Sequence, residues 1–73
     1  MKLVELRHRA GVSQQTLADA AGVDRSMVSY IESGRRNPTY PIVLRIAKAL
    51  GVDPQIVDEF RPAVREVEEI LTN

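Results

Sequence analysis

A chain of 73 residues without cysteine has room for one small domain that hides only about 60% of its unfolded surface, and neither a disulfide nor a thiolate metal site reinforces it. Its formal net charge is zero, but residues 1–50 hold eight cationic against four anionic side chains (+4) and residues 51–73 hold two against six (−4). No apolar run approaches membrane-spanning length, the opening Met1-Lys2-Leu3-Val4-Glu5 is no signal peptide, and the lone His8 has no second metal ligand at suitable spacing, so a soluble cytoplasmic protein without metal, cofactor or membrane partner is expected, with oligomerisation as the readiest added source of stability.

The chain reads as all helix, because its valines and isoleucines fall at helical spacing and not in period-two alternation. Leu3, Leu6 and Ala10 mark the inner face of a first helix that stops at Gly11. Ser13 is placed to cap a second helix, with Val12 closing onto Leu17 as a hydrophobic staple. That helix runs to Ala21 and straight into Gly22. The same device recurs at Val23-Asp24, where Asp24 caps a third helix and Val28 is the staple partner.

Gly34 ends the third helix, and Arg35 to Pro41 is a loop with two prolines. A fourth helix follows to Leu50, with Val43, Leu44, Ile46, Ala47 and Leu50 inward and Gly51 as its stop. Asp53-Pro54 signals the start of a fifth helix holding Ile56, Val57 and Phe60. Pro62 ends or kinks that helix and opens a further one from Ala63 to Leu71. No repeat, low-complexity run or interdomain linker divides the chain.

The stretch Gly22–Gly34 is the most telling. Two glycines bracket a short amphipathic helix whose outward side carries Arg25, Ser26, Ser29 and Tyr30. A helix, a three-residue turn and a second, polar helix is an arrangement that lays a reading head in the DNA major groove. Ala18 is the small residue needed where the two helices cross, and Gly22 tolerates the positive φ of the turn. The basic front and acidic rear would orient such a molecule on a polyanion, an ordinary mixed surface being the plain alternative.

With Ser13-Gln14, Ala18, Gly22-Val23, Val28, Ile31-Glu32, Gly34, Arg36-Asn37-Pro38 and the run Ile46 to Val52 in order, the chain resembles the lambda-repressor and Cro-like (XRE) helix-turn-helix family from about Leu3 to Phe60. The resemblance implies an all-α, five-helix lambda-repressor-like domain over residues 1–60, to which the residue pattern adds a short C-terminal helix in residues 61–73. It implies a transcriptional regulator that inserts helix 25–33 into the major groove of double-stranded DNA, and no enzyme. Arg25, Ser26, Ser29 and Tyr30 match base-facing positions. Arg25 is the best base reader, since its fork fits the guanine O6/N7 edge; a phosphate contact or a solvated side chain is the alternative. Tyr30 reads a thymine methyl, bonds a phosphate through its hydroxyl, or is simply a half-buried packing residue.

Gln14 matches a phosphate-contacting glutamine, and Arg35, Arg36 and Asn37 are expected on the phosphate backbone. Arg7 and Glu32 correspond to a structural ion pair in family members, so that replacing Glu32 alone uncovers a partly buried Arg7. In the tail, Val64, Val67 and Leu71 form a stripe with Ile70 beside it. The stripe either closes the monomer's own core or meets a second copy. The expected partners are a near-palindromic operator and a second copy of the chain as a homodimer, with no small-molecule ligand. A small phage-type repressor or a restriction–modification controller fits this size; an antitoxin or coactivator whose main contact is another protein is the alternative.

Overall fold

The coordinates are a computed structural model that describes residues 1–72; Asn73, the last residue of the expected 61–73 tail, lies outside the described residues. Among the described residues five α-helices follow one another: α1 (Leu3–Ala10), α2 (Gln14–Ala21), α3 (Arg25–Glu32), α4 (Tyr40–Leu50) and α5 (Arg61–Thr72). Two short 3-10 turns, Pro54–Ile56 and Asp58–Phe60, stand between α4 and α5. The all-α class is as expected; the two turns stand where a fifth helix was expected, so the expected additional C-terminal helix is α5.

The helix starts are satisfied in different ways. The Ser13 hydroxyl oxygen accepts the Thr16 backbone N–H at 3.0 Å, which satisfies one free donor of α2. Asp24 occupies the corresponding place before α3 but makes no side-chain cap bond. Its carboxylate therefore acts on α3 through charge alone. At α1 the first N–H is satisfied from far away: Leu3 N donates to Glu59 Oε1 at 2.9 Å.

The ends of α1 to α4 share one device. The residue after each terminal glycine returns its N–H five residues back: Val12 to Arg7 O, Val23 to Ala18 O, Arg35 to Tyr30 O and Val52 to Ala47 O, at 3.2, 3.0, 2.9 and 3.0 Å. This six-to-one bond defines the Schellman motif and requires a left-handed residue before it. Gly22 (φ +70°) and Gly34 (φ +77°) supply that conformation on either side of α3.

Leu17 and Ala18 of α2, Val28 and Ile31 of α3, and Val43, Ile46 and Ala47 of α4 meet in the core with Leu3 and Leu6 of α1. α2 is the hub, packed against both α3 and α4. Two inward assignments are corrected. Ala10 is exposed because Gly11 turns the chain away one residue later. Leu44 is 45% exposed, since the buried stripe of α4 runs Val43–Ile46–Ala47 and Leu44 lies about 100° off it.

The expected fifth helix over Asp53–Phe60 is instead two single turns separated by Val57, which is extended (φ −93°, ψ 116°). Asp53 and Pro54 do start a helical turn, with the Asp53 carboxylate accepting Gln55 N–H at 2.9 Å. A competing bond interrupts its continuation: Asp58 N donates to Met1 O at 2.8 Å. Val57 and Phe60 are thereby driven fully into the core. Pro62 then sits in the first turn of α5, where its missing N–H is harmless. α5 buries only Ala63, and the molecule is drawn out to 38 Å along one axis against 20 and 19 Å along the others.

A β-carbon built on Gly22 meets no atom within 4 Å, so the penalty of a side chain there is conformational and not steric. Gly22→Ala should lower unfolding stability by about 1–2 kcal/mol, the usual burden of a left-handed L-residue. Urea denaturation measures it; an unchanged midpoint would show that the turn before α3 relaxes without strain.

Candidate nucleic-acid interface

α3 has two faces of opposite character. Val28 and Ile31 are fully buried, and Met27 is half-buried against the core. On the other side Arg25, Ser26 and Tyr30 are exposed and Ser29 is half-buried. Positions 25 and 29, and 26 and 30, are each four apart and stack one helical turn above the other. The four expected reading residues thus form one continuous row. None of them is drawn into the core, so the row is free to meet a surface outside the molecule.

The inner end of α3 is anchored by a polar cluster. Arg7 of α1 meets Glu32 of α3 through Nε to Oε2 at 2.8 Å and Nη2 to Oε1 at 3.2 Å, a bidentate pair. Its Nη1 donates to Val12 O at 3.0 Å. Gln14, the first residue of α2, donates from Nε2 to Glu32 Oε1 at 3.0 Å. The Arg7 and Glu32 side chains are 10% and 9% exposed, yet among the described residues no buried side-chain polar atom lacks a partner. Burial alone pushes the Glu32 carboxyl up; hydrogen bonds from Arg7 and Gln14, with the charges of Arg7 and His8, outweigh it and hold the group below the usual carboxylate range. The bond to Glu32 raises the Arg7 guanidinium above its ordinary value, burial opposing.

Beyond α3 the loop is cationic and ordered by Tyr30. The Tyr30 carbonyl accepts Arg35 N at 2.9 Å and Arg36 N at 3.3 Å, as well as the Ser33 hydroxyl at 3.3 Å. The guanidinium carbons of Arg35 and Arg36 lie over the Tyr30 ring, 5.9 and 6.0 Å from its centroid. Such cation–π contacts contribute about 0.5–1 kcal/mol each at exposed sites. Asn37 is exposed beside them, and Pro38 is buried and tacks the loop to the body.

All eight expected contact residues therefore lie at the surface of α3, of the loop after it, or of the start of α2. Two features were not anticipated. Gln14 is committed through Nε2 to Glu32, and Tyr30 is bound up with Arg35 and Arg36. Both are contacts between residues that sequence reasoning treated one at a time; the only available signals were the Gln14–Glu32 and Tyr30–Arg35 side-chain types, without a spacing rule to join them.

A family model described as a helix-turn-helix domain matches residues 2–60. YgzD of Bacillus subtilis (strain 168), an HTH-type transcriptional regulator by name, is 41% identical over 51 residues, which is 70% of this chain and 77% of that protein. The control protein C.BamHI of Bacillus amyloliquefaciens is 36% identical over 52 residues, 71% of this chain and 64% of that one. Among solved structures, the restriction-modification controller protein C.AhdI of Aeromonas hydrophila matches with a TM-score of 0.71 at 45% identity, covering 73% of this chain and 80% of that chain. A single-residue variant of the restriction-modification controller protein C.Esp1396I matches with a TM-score of 0.67 at 29% identity, covering 90% and 83%.

The Glu32 pair has a pH signature. A carboxyl whose folded pKa is depressed contributes stability that is complete above its unfolded pKa, about 4.3 for glutamate, and lost as pH falls through the lower folded value. Acid should therefore destabilise the protein through Glu32. Asp58 is depressed in the same direction, chiefly by a hydrogen bond from the N-terminal amine, but it is exposed and salt screens it. At high salt, the urea midpoint of the wild type should fall more steeply between about pH 5 and about pH 2 than that of Glu32→Gln. Parallel profiles would mean that Glu32 contributes nothing to acid unfolding.

Proposed function

The chain belongs to the helix-turn-helix family, and on that premise we propose that it is a sequence-specific regulator of transcription that binds double-stranded DNA by placing α3 in the major groove. One observation carries this reading: the row Arg25, Ser26, Ser29 and Tyr30 is presented outward on a helix whose other face is buried, and the cationic loop Arg35–Asn37 continues directly from its end. A base-reading element and a phosphate-gripping element are needed together, because phosphate contacts set affinity and register while base edges supply specificity. The role is binding and not catalysis. Similarity to proteins named as transcriptional regulators and controller proteins favours DNA over a protein partner, and among small regulators it supports the restriction–modification controller type.

In this reading Arg25 forks onto a guanine edge, a contact that discriminates by about 1–3 kcal/mol. Ser26, Ser29 and Tyr30 complete the base-facing row. Gln14, Arg35, Arg36 and Asn37 hold phosphates on either side. Gln14 does so with the part of its amide that Glu32 leaves open, so the clamp on α3 and the grip on the backbone share one side chain. Among the described residues no helix is long and apolar enough to cross a membrane.

We also propose that residues 1–60 form the DNA-binding domain and that the 61–73 segment brings two copies together on a near-palindromic operator. Val64 packs against the core, and Val64, Val67 and Leu71 line a groove with Tyr40 and Leu44, although Ile70 and Leu71 are 68% and 79% exposed. An apolar stripe that is half seated and half open suits a surface shared with a second copy. Two α3 helices would then meet half-sites about one helical turn apart.

Selection of bound sequences from a random DNA pool, followed by salt titration, tests the DNA reading. Arg25→Ala should relax preference at one base position of each half-site. Arg36→Ala should weaken all sequences alike and reduce the salt slope by about 1 per subunit. Uniform effects from both would reject Arg25 as a reader. Sedimentation tests the pairing: the wild type should be dimeric and Ile70→Asp with Leu71→Asp monomeric, with weakened operator binding. A wild-type monomer persisting at high micromolar concentration rules the dimer out.

A further inference from the structure

The end of α3 differs from the other three helix ends in one respect. In the Schellman motif the residue after the glycine commonly makes an apolar contact with the helix's last turn. At α1, α2 and α4 that residue is Val12, Val23 and Val52, each partly buried against the core. At α3 it is Arg35, exposed, and the residue it closes onto is Tyr30. The apolar lock is thus replaced by a guanidinium over an aromatic face, and Arg36 joins it over the same ring. Neither arginine forms an ion pair with a carboxylate among the described residues. Both guanidiniums thus lie near one ring with their charge uncompensated, where an arriving anion would be attracted to both.

We infer that Tyr30 is a positioning residue: its carbonyl and its ring hold Arg35 and Arg36 together as a preformed phosphate clamp. Its contribution to base reading is secondary. The inference rests on the DNA-binding function proposed above and assigns Tyr30 a part in it that its place in the reading row does not suggest. A long arginine side chain loses rotamer freedom when it grips a phosphate, and prior ordering over an aromatic ring removes part of that loss. The backbone half of the device is independent of side-chain identity, because any residue at 30 offers a carbonyl. The ring half depends on an aromatic face and not on the phenol hydroxyl.

That division gives a test in four variants, Tyr30→Phe, Tyr30→Leu, Arg35→Ala/Arg36→Ala, and the triple variant combining Tyr30→Leu with both alanines, measured by fluorescence anisotropy on a DNA selected by the wild type and on single-base derivatives of it. Tyr30→Phe should match the wild type within about twofold in affinity and in salt slope. Tyr30→Leu should weaken every DNA by roughly tenfold and flatten the salt slope. Because ring and arginines act as one unit, the triple variant should bind no worse than the double arginine variant. Circular dichroism on the same samples reads helix content, and the comparison with Tyr30→Phe keeps the test open if Tyr30→Leu unfolds. The assignment is overturned if Tyr30→Phe loses affinity as Tyr30→Leu does, if Tyr30→Leu alters preference at one base position with an unchanged salt slope, or if the triple variant shows fully additive loss. Wild-type protein that selects no DNA defeats the proposed function itself, and this role with it. Wild-type binding accompanied by one of the other results defeats this role alone.

Discussion

The Arg7–Glu32 pair, nearly excluded from solvent, is the constraint on which the placement of α3 depends. It joins the first helix to the third, reaches the turn between α1 and α2 through Val12 O, and takes the start of α2 through Gln14. One carboxylate and one guanidinium thus join these segments in addition to the apolar core that Leu3, Leu6, Leu17, Ala18, Val28 and Ile31 share. A buried ion pair is an unreliable source of net stability, because desolvation offsets most of its attraction. Its worth here is directional. Apolar contacts at Val28 and Ile31 tolerate small rotations of α3, whereas a bidentate fork does not. Loss of either partner would leave the other charge buried without compensation, so the orientation of the outward row is coupled to the stability of the domain.

The opposite end of the molecule is held by the backbone. Val57 is extended so that Asp58 N–H can reach Met1 O, and Glu59 receives the first N–H of α1. A segment that looks like a helix therefore acts as a strap across the start of the chain. It seats Val57 and Phe60 in the core, and α5 follows directly. The two ends thus divide the work. The clamp at α1–α3 fixes what faces DNA in the proposed reading, and the strap fixes where the tail leaves the body.

Local signals account for what was legible in the sequence. Helix starts at Ser13, stops at Gly11, Gly22, Gly34 and Gly51, and apolar stripes at helical spacing each depend on residues within one or two turns of one another. The outward row of α3 followed from its stripe by elimination. The rest was set by contacts across the fold. Val57 and Phe60 are three apart and suit a continuous helix as well as two turns; the bond that decides between them comes from Met1. Leu44 follows Val43 in sequence and shares its apolarity, but one residue is 100° of helix. Gln14 and Tyr30 were readable as surface groups, while their bonds to Glu32 and to the loop arginines join positions that no periodicity links. The Arg7–Glu32 pair lies 25 residues apart and was visible only through family resemblance.

The composition of the row bears on how discrimination would arise in the proposed function. Of its four side chains only Arg25 has a strong geometric match to one base edge. Two serines bond almost any neighbour, and the Tyr30 ring is occupied by the loop arginines. One fork per subunit specifies too little sequence to single out an operator. Two further sources remain open to such a protein. Pairing of two copies, as proposed, would square the demand by requiring a second half-site at a fixed distance. In the proposed dimer a preordered cationic loop on each copy would also favour DNA whose phosphates reach it by bending or narrowing at little expense. The ordering of the loop over Tyr30, as inferred above, would then matter to specificity without touching a base.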